Sequence, residues 1–558
     1  MKKDGLKLKT KGAFDPIDLE ILWSRLITLV DEAAYAIVRT SMSKVVVEGR
    51  DFGVLLYDAS ARLLAADVSI ASKVGTTSIA VKEFLKIYSP SSLKEGDVLV
   101  SNNPWWIMGH LNDIAVVAPL FHKNRLIGFA ECMAHMADIG GSLSGAPREV
   151  YEEGLIIPPI KAVEKGIENQ TFFSILEANV RVPRQVSSDV RALITGLKVM
   201  QTKVVEFLNV HNIRNLENLS NAVRRHSEAA MRRGISEQIP NGVYEGFSTV
   251  DGFDEPMNIC AKITSRNGNV TIDLDGSSPQ SSFGINCTMV YTYVWSMYTI
   301  KCIACPSVPN NEGTFAPIRV LAPEGSFLNP SFPAPVKMKP SSGHYIPIAI
   351  LDALKNVVDK RILAESGNKT LLYISGRNPE GRAFSDLMFI MGGMGARTEK
   401  DGLHSMSFPA NSSNIPIEVL ENIAPIRVKR KHLRQDSGGY GHFRGGCGQV
   451  FEFENISQLP ITVRAEHGKL KTAPLGLKSG GAGATGHHKV NGKPIADKLP
   501  VILKVGDVMT LEIPGSGGFG SAKKRDPKAV KIDLADGIIS PKVAFEVYGL
   551  KIESMGKN

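Results

Sequence analysis

Two pairs of histidine and aspartate stand at the ends of one apolar stretch, where they could bind a metal ion. In the segment "GHLNDIAVVAPLFHKNRLIGFAECMAHMADIGG", His110 and Asp113 come before the apolar residues, and His135 and Asp138 follow them. Imidazole and carboxylate groups suit zinc, manganese or iron better than a metal that prefers thiolates. The same spacing also allows His135 and Asp138 simply to satisfy backbone groups of the glycine turn behind them.

The apolar stretch predicts the element that would bring these side chains together. "IAVVAPLF" and "RLIGFAECMAHM" flank the polar "HKN", a pattern typical of an antiparallel hairpin that turns near Lys123. If the loop has an even number of residues, His110 faces Ala137 and shares one side of the ribbon with His135. If the number is odd, Asp113 lies directly opposite His135. In either register, three candidate ligands gather at the open end of the hairpin.

A further ligand should come from elsewhere in the chain. A catalytic zinc typically has three protein ligands plus water, and other metals often take more. Asp51, in "EGRDFGVLLYD", opens a predicted strand and is the upstream carboxylate that we select. A salt bridge with Arg50, or a turn, would also explain an aspartate at this position, so the residues alone leave its role open.

The segments around the hairpin predict a mixed fold. "DPIDLEILWSRLITLVDEAAYAIVRTS" has a capping Asp15, Pro16 at the first helical position and apolar residues at helical spacing, which predicts a long amphipathic helix. Residues 171–234 are also helical in pattern, whereas short strands and glycine turns dominate from residue 425 onward. We therefore expect a multi-lobed α+β chain with largely antiparallel sheets and helical N-terminal elements. Its predicted regions are an N-terminal α+β region with the metal-binding hairpin (1–237), a central α+β region (238–424) and a β-rich C-terminal region (425–558).

Length, charge and composition disfavour several classes of protein. The 558 residues, 43% of them hydrophobic and 22% charged, describe a folded chain of enzyme size. The net charge of +9 comes from scattered Lys and Arg without interleaved aromatics, so no nucleic-acid partner is expected. No window approaches the roughly 20 apolar residues of a membrane-spanning helix, so no membrane partner is expected either. Six cysteines in so long a chain do not form a disulfide framework, which favours a cytoplasmic location.

Longer segments resemble the hydantoinase B / oxoprolinase family, whose relatives include acetone and acetophenone carboxylase subunits. In the N-terminal half these are "EGRDFGVLLYDASARLLA", "GDVLVSNNPWWIMGHLNDIAVVAPLF", "AHMADIGG", "REVYEEGLIIPP" and "NVRVPRQVSSDVRA". The likeness continues through "IPNGVYEGF", "DSGGYGHFRGGCG" and "GSGGFGSAKKRDPKAVKIDLADGIISPKVAFEVYG". It therefore covers nearly the whole chain.

This resemblance implies a metal-bearing subunit of the N-methylhydantoinase B type, in an ATP-dependent amidohydrolase that opens a cyclic amide such as a hydantoin, 5-oxoproline or a lactam. A separate A-type partner would bind ATP and phosphorylate the ring carbonyl, so a hetero-oligomer is expected. Carried over position by position, the metal ligands would be Asp51, His110, Asp113 and His135. The divalent metal would be zinc, with manganese or iron as alternatives.

The chemistry of amide hydrolysis explains why such an enzyme would need these metal-binding residues. A divalent metal can lower the pKa of bound water toward about 7, and phosphorylation makes the carbonyl carbon more electrophilic and supplies a leaving group. Metal hydroxide would then attack that carbon, and Asp138 is the candidate catalytic proton acceptor. Two alternatives stay open, a subunit of an ATP-dependent ketone carboxylase and a non-catalytic scaffold subunit.

Several positions depart from the family pattern or need a separate interpretation. Met136 stands where the family often has a second histidine, and Asn112 stands where proline is common. If Met136 lies in the outer shell of the site, a hydrogen bond that would tune the metal or the substrate is missing. His344, in "SSGHY", is predicted to cap a helix or to form a substrate wall. The glycine-rich "DSGGYGHFRGGCG" and "GSGGFG" lack the Lys-Ser/Thr of a phosphate-binding loop and are predicted to be tight turns.

Overall fold

The computed structural model describes residues 14–67, 77–142, 146–378, 380–406, 408–410, 412–495 and 500–551. Helices and open, mainly antiparallel sheets are mixed along the chain, so the predicted α+β class is confirmed. No helix within these ranges is both long enough and apolar enough to cross a membrane.

The N-terminal part of the chain forms a seven-stranded antiparallel sheet. Its strands are β1 (Phe52–Asp58), β2 (Leu63–Ala66), β3 (Val98–Ser101), β4 (Asp113–His122), β5 (Arg125–His135), β6 (Ile160–Glu164) and β7 (Ile167–Glu168). They lie in the order β2-β1-β5-β4-β3-β6-β7. Both faces of the central strands are buried, because Leu55 and Tyr57 pack in one apolar core while Val54 and Leu56 pack in another. This double burial explains why these strands appear in the sequence as continuous apolar runs.

Six helices accompany this sheet, namely α1 (Pro16–Thr40), α2 (Lys44–Val47), α3 (Thr77–Ile87), α4 (Gln170–Asn179), α5 (Pro183–Val210) and α6 (Glu217–Gln238). The first of them begins as the sequence predicts. The carboxylate of Asp15 accepts a hydrogen bond from the backbone N–H of Ile17 at 3.0 Å, and Pro16 occupies the first turn, where its missing N–H costs nothing. The long helices α1 and α5 pack against each other and, with β4 and β5, enclose the second apolar core.

The central part contains a four-stranded sheet and four helices. Its strands, in the order β11-β10-β9-β8, are β8 (Gly242–Val250), β9 (Met257–Arg266), β10 (Asn269–Asp273) and β11 (Ile318–Leu321). The helices are α7 (Met289–Ala304), α8 (Glu312–Phe315), α9 (Pro340–Gly343) and α10 (Ile346–Leu354). The pair β10–β11 is parallel, an exception among the strand pairs of the described residues.

Two further sheets complete the fold. One has the order β13-β12-β16-β19 and the other the order β14-β15-β20-β17-β18, where the strands are β12 (Lys369–Arg377), β13 (Ala383–Met391), β14 (Ile426–Leu433), β15 (Gln449–Asn455), β16 (Ile461–Glu466), β17 (His487–Val490), β18 (Lys493–Pro494), β19 (Val501–Leu503) and β20 (Val508–Glu512). The last helices are α11 (Ile417–Ile423), α12 (Pro527–Ala535) and α13 (Pro541–Glu546). Since β12 pairs with β16, one sheet joins strands from both sides of the predicted division between 424 and 425. The three regions as separate units stay a prediction.

The two glycine-rich segments pack against each other, backbone to backbone. Phe443 and Phe519 form an antiparallel bridge between them. A Cβ atom at Gly445 would lie 2.1 Å from the carbonyl oxygen of Ser516, so no larger residue fits there without a shift of the main chain. Close packing of main chains accounts for these glycines without a phosphate ligand.

Candidate metal centre

A two-residue turn and a β-bulge together position the β4–β5 hairpin. The turn consists of Lys123 and Asn124, both with positive φ (51° and 60°), as a right-twisted hairpin requires. Beside the turn, Phe121 pairs with Leu126, but the register shifts at the next pair, and Ile127 is the extra residue. The loop has two residues, an even number, but the bulge moves the remaining pairs by one position. Beyond the bulge, the strands therefore have the register predicted for an odd loop.

This register places two candidate ligands directly opposite each other. Asp113, at the start of β4, pairs with His135, at the end of β5. His110, in the loop before β4, joins them from the same end, and its ring centre lies 4.9 Å from that of His135. One possible ligand atom from each of the three residues lies within 4.8 Å of the others, and all three side chains are buried. The predicted convergence of His110, Asp113 and His135 is therefore present in the structure.

Neutral His110 cannot satisfy both of its polar contacts. Its Nδ1 lies 3.1 Å from the carbonyl oxygen of Lys337, and its Nε2 lies 2.9 Å from Oδ2 of Asp113. Both neighbours are acceptors, whereas a neutral imidazole has only one N–H. Burial, with the nearby charge of Lys339, lowers the pKa of His110 to about 4, so the ring is neutral at pH 7. A cation shared by Nε2 and the carboxylate would remove this conflict.

His135 presents the second sign that these residues fit a divalent ion. Its Nδ1 lies 3.5 Å from Oδ1 of Asp113. Its Nε2 is buried and has no hydrogen-bond partner within the described part of the chain. A buried polar atom without a hydrogen-bond partner lowers the stability of the fold by about 1–3 kcal/mol. Two imidazoles and a carboxylate form a donor set that suits zinc, manganese or iron, so metal coordination would give these atoms partners.

Asp51 lies on the wall of the same cavity but outside the close three-residue cluster. Its backbone is fixed beside the hairpin, because the N–H of His135 donates to the Asp51 carbonyl oxygen at 3.0 Å. The cavity measures about 440 Å³ counting its open mouth. A role for Asp51 as the fourth ligand stays a prediction.

The cavity also contains cationic and aromatic residues that the sequence patterns did not reveal as site residues. Lys339 is buried, and its Nζ lies 2.9 Å from Oδ2 of Asp113, 4.5 Å from the ring centre of Tyr291 and within hydrogen-bond reach of the Met108 carbonyl. Lys369 lines the same wall. Nothing in the sequence marks these lysines, because each lies more than 200 residues from the hairpin and carries no motif of its own.

His344 does line the metal cavity, as one of its two sequence interpretations proposes. It follows α9, and its fully buried ring packs 5.1 Å from the ring of Trp295. Burial, with the charge of Lys369, lowers the pKa of His344 well below its usual value, so this wall residue is neutral.

Asp138 lies beside the cluster rather than in it. Its Oδ2 accepts the backbone N–H groups of Gly140 at 3.2 Å and Arg181 at 2.6 Å, and its Oδ1 accepts from the Arg181 guanidinium at 2.7 Å. The carboxylate thus ties the glycine turn to the connection between α4 and α5, and it lines a neighbouring cavity. A proton-accepting role for Asp138 stays a prediction.

Met136 has a packing role in the structure. Its side chain is fully buried in the second apolar core, and its backbone N–H donates to the carbonyl oxygen of Asn112 at 2.8 Å. The Asn112 amide in turn donates to the Met136 carbonyl at 3.3 Å. Asn112 and Met136 therefore bond to each other and fix the loop that carries His110.

The sequence matches the hydantoinase B/oxoprolinase family over residues 15–522, and the chain belongs to this family. The B component of a putative D-/L-hydantoinase from a Pseudomonas species is 29% identical, and the alignment covers 96% of this chain and 95% of that protein. The fold resembles the crystal structure of ATP-dependent caprolactamase from Pseudomonas jessenii, with a TM-score of 0.89, 23% identity and 98% of both chains covered. Nucleotide-free acetone carboxylase gives a TM-score of 0.88 at 19% identity, with 97% of this chain and 80% of that chain covered.

Replacement of His135 by alanine should remove the bound divalent ion. The side chain supplies one of three clustered donors, and loss of a direct ligand should cost more than the roughly 10- to 100-fold in affinity that outer partners contribute. Metal content measured by plasma mass spectrometry after gel filtration should fall from about one ion per chain to near zero. His432→Ala, which removes an exposed histidine from β14, is the control and should retain the ion. A full complement of metal in His135→Ala would contradict the assignment.

Replacement of Asp51 by asparagine tests the fourth ligand separately. The amide keeps the shape but removes the charge, and loss of a charged contact worth about 1.5–3 kcal/mol should weaken metal binding roughly 10- to 100-fold. Competition with a chelator of known affinity measures this change. Asp275→Asn, at an exposed turn, should leave the affinity unchanged. If Asp51→Asn binds metal as tightly as the original chain, Asp51 is a wall residue only.

Proposed function

We propose that this chain is the metal-bearing B-type component of an ATP-dependent amidohydrolase that opens a cyclic amide, such as a hydantoin, 5-oxoproline or a lactam. In the same proposal, an A-type partner uses ATP to phosphorylate the amide carbonyl, and the two proteins form a hetero-oligomer. Relatives whose names specify the B component of a hydantoinase and the beta component of a caprolactamase support the substrate class and the need for a partner.

One observation carries the proposal, namely the buried contact between His110 Nε2 and Asp113 Oδ2 at 2.9 Å, with His135 beside it. His110, Asp113 and His135, together with Asp51 on the cavity wall, would hold the ion. A divalent ion held there would lower the pKa of bound water toward about 7, which is the chemistry that it would supply to hydrolysis of the activated amide. Zinc fits this donor set, and manganese or iron are alternatives.

The residues of the chain itself prepare the site in three ways. Burial keeps His110 neutral, so its lone pair is available as a ligand. The Lys337 carbonyl fixes the orientation of the His110 ring through Nδ1, as outer-shell carbonyls commonly do for metal-binding histidines. Lys339 holds the Asp113 carboxylate from the other side and brings a positive charge to the cavity, where it would favour negative charge that develops on a substrate oxygen.

A component of a ketone carboxylase is the second candidate, since the fold of acetone carboxylase is closely similar. The chain covers 98% of the caprolactamase chain but 80% of the acetone carboxylase chain, so part of the latter has no matching residues here. This difference in coverage favours the amidohydrolase. A scaffold protein without chemistry of its own is the third candidate, and the buried donor cluster argues against it.

Reconstitution with the A-type partner discriminates among these candidates. ATP hydrolysis and product formation should be measured with hydantoins, 5-oxoproline, lactams, and ketones with bicarbonate. We expect ATP turnover that depends on a cyclic amide and is lost in His135→Ala. ATP turnover with ketones that strictly requires bicarbonate would establish the carboxylase instead. An active complex that is indifferent to His135→Ala would favour the scaffold role.

The same assay tests Asp138 as the proton acceptor. Asp138→Asn should lower kcat by about 100-fold or more, within the range of general base catalysis, while the metal content stays the same. Because Asp138 also ties Arg181 to the glycine turn, the thermal midpoint of the variant should be recorded alongside. Full activity in Asp138→Asn would restrict this residue to its structural bonds.

A further inference from the structure

We propose that the cavity next to the metal cavity binds a tetrahedral oxyanion of the phosphate type. The positively charged side chains of Arg181, Lys337 and Arg464 line it, and Asp138 is its one acidic lining residue within the described ranges. The volume is about 460 Å³ counting the open mouth. The inference deepens the proposed function and rests on it for the source of the anion, but the binding chemistry follows from the cavity.

Arg464 is the strongest single indication of a ligand. It is only 6% exposed, and its Nε has no hydrogen-bond partner in the part of the chain that the structure describes. One terminal nitrogen lies 2.9 Å from Glu466 Oε1, and the guanidinium lies 4.4 Å from the ring centre of Tyr373. A guanidinium that lies over a ring can still offer the N–H groups at its edge to an oxyanion, and Arg464 Nε is such a group.

Lys337 adds a second buried positive charge, on which the carboxyl groups of Glu153, Glu466 and Asp138 also act. It is 8% exposed, and its Nζ makes a long hydrogen bond of 3.3 Å to the carbonyl oxygen of Glu153. Oε1 of Glu153 is already used by the backbone N–H groups of Val336 and Lys337 at 2.6 and 2.7 Å. Two neighbouring buried cations are costly without a matching anion. Glu466 offsets part of that cost, and an anionic ligand in the cavity would offset more of it.

The remaining walls supply the donors that a tetrahedral anion needs. Arg181 is engaged with Asp138 at 2.7 Å and with the Gly141 carbonyl, but it is a third guanidinium or ammonium group at the cavity. Hydroxyl groups of Ser375, Ser385 and Thr462 complete the wall. Charged and neutral donors on several sides of one small space are typical of phosphate recognition.

The position of this cavity connects it to the metal centre. Along β12, Lys369 and Leu371 line the metal cavity, whereas Tyr373 and Ser375 line the oxyanion cavity. Alternate residues of a strand share a face and lie about 7 Å apart, so the two cavities are adjacent along one strand face. Beyond Ser375, an outer groove of about 1500 Å³ that includes Arg377 leads to the surface. A phosphoryl group held here would place the carbon that it activates toward the metal.

Two kinds of ligand would present such an oxyanion. One is a phosphorylated substrate made by an ATP-using partner, and the other is inorganic phosphate released after hydrolysis. Titration calorimetry on the full chain with inorganic phosphate and with methylphosphonate, a stable analogue of a phosphate ester, separates them. Tighter binding of methylphosphonate would assign the site to the substrate, and tighter binding of phosphate would assign it to the product. Either result supports the oxyanion site.

Arg464→Gln and Lys337→Met should each weaken binding of both anions at least about tenfold, since each removes a charge-assisted contact. Arg464→Lys, which keeps the charge but loses the planar fork, should show an intermediate loss and covers the case in which Arg464→Gln folds poorly. The control is Arg191→Gln, because the Arg191 guanidinium also lies on a ring, 4.0 Å from the centre of Phe173, but outside the cavity. Thermal midpoints verify folding.

Absence of binding at millimolar anion, or equal affinity in all four variants, would overturn the proposal. The titration uses neither the partner, nor ATP, nor a cyclic amide. Failure of the proposed function would therefore appear as an inactive reconstituted complex, while loss of anion affinity in Arg464→Gln would still establish the site.

Discussion

The carboxylate of Asp113 is the contact around which the site is assembled. It lies 2.9 Å from His110 Nε2 and 2.9 Å from Lys339 Nζ through one oxygen, and 3.5 Å from His135 Nδ1 through the other. A carboxylate that is only 2% exposed needs such compensation, because burial of an unpaired charge costs several kcal/mol. The requirement draws together β4, β5, the loop before them and a lysine 226 residues away.

Much of this arrangement could be predicted from the sequence, because its main elements are local. Two apolar runs around "HKN" define a hairpin, and any hairpin with that turn brings His110, Asp113 and His135 to one end. The choice between the two registers could not be predicted, since it depends on the bulge at Ile127, which packs in the core like its neighbours and has no distinctive residue type. The α+β class could also be predicted, because the spacing of apolar residues and the turn residues mark helices, strands and loops locally.

The residues of the site that could not be predicted come from parts of the chain far from the hairpin in sequence. Lysine and arginine are usually solvated surface residues, so Lys337, Lys339 and Arg464 carry no sign of burial in the sequence. Their placement depends on the pairing of β12 with β16 and on the chain before α9. Met136 packs its side chain in the apolar core, and its effect on the metal or the substrate stays a prediction.

The two adjacent cavities differ in their polar groups, since the first combines histidine and aspartate side chains with Lys339 and Lys369, whereas the second has Arg181, Lys337 and Arg464. Burial keeps His110 and His344 neutral in the first cavity, which preserves the lone pair of His110 for a metal. The guanidinium and ammonium groups of the second cavity would attract an oxyanion, but they cannot act as metal ligands while they are protonated. A phosphate bound in the second cavity would have charged partners of its own there and would not need the divalent ion as a ligand. In the proposed reaction, the separation along one face of β12 would keep the phosphoryl group of the substrate apart from the metal ligands.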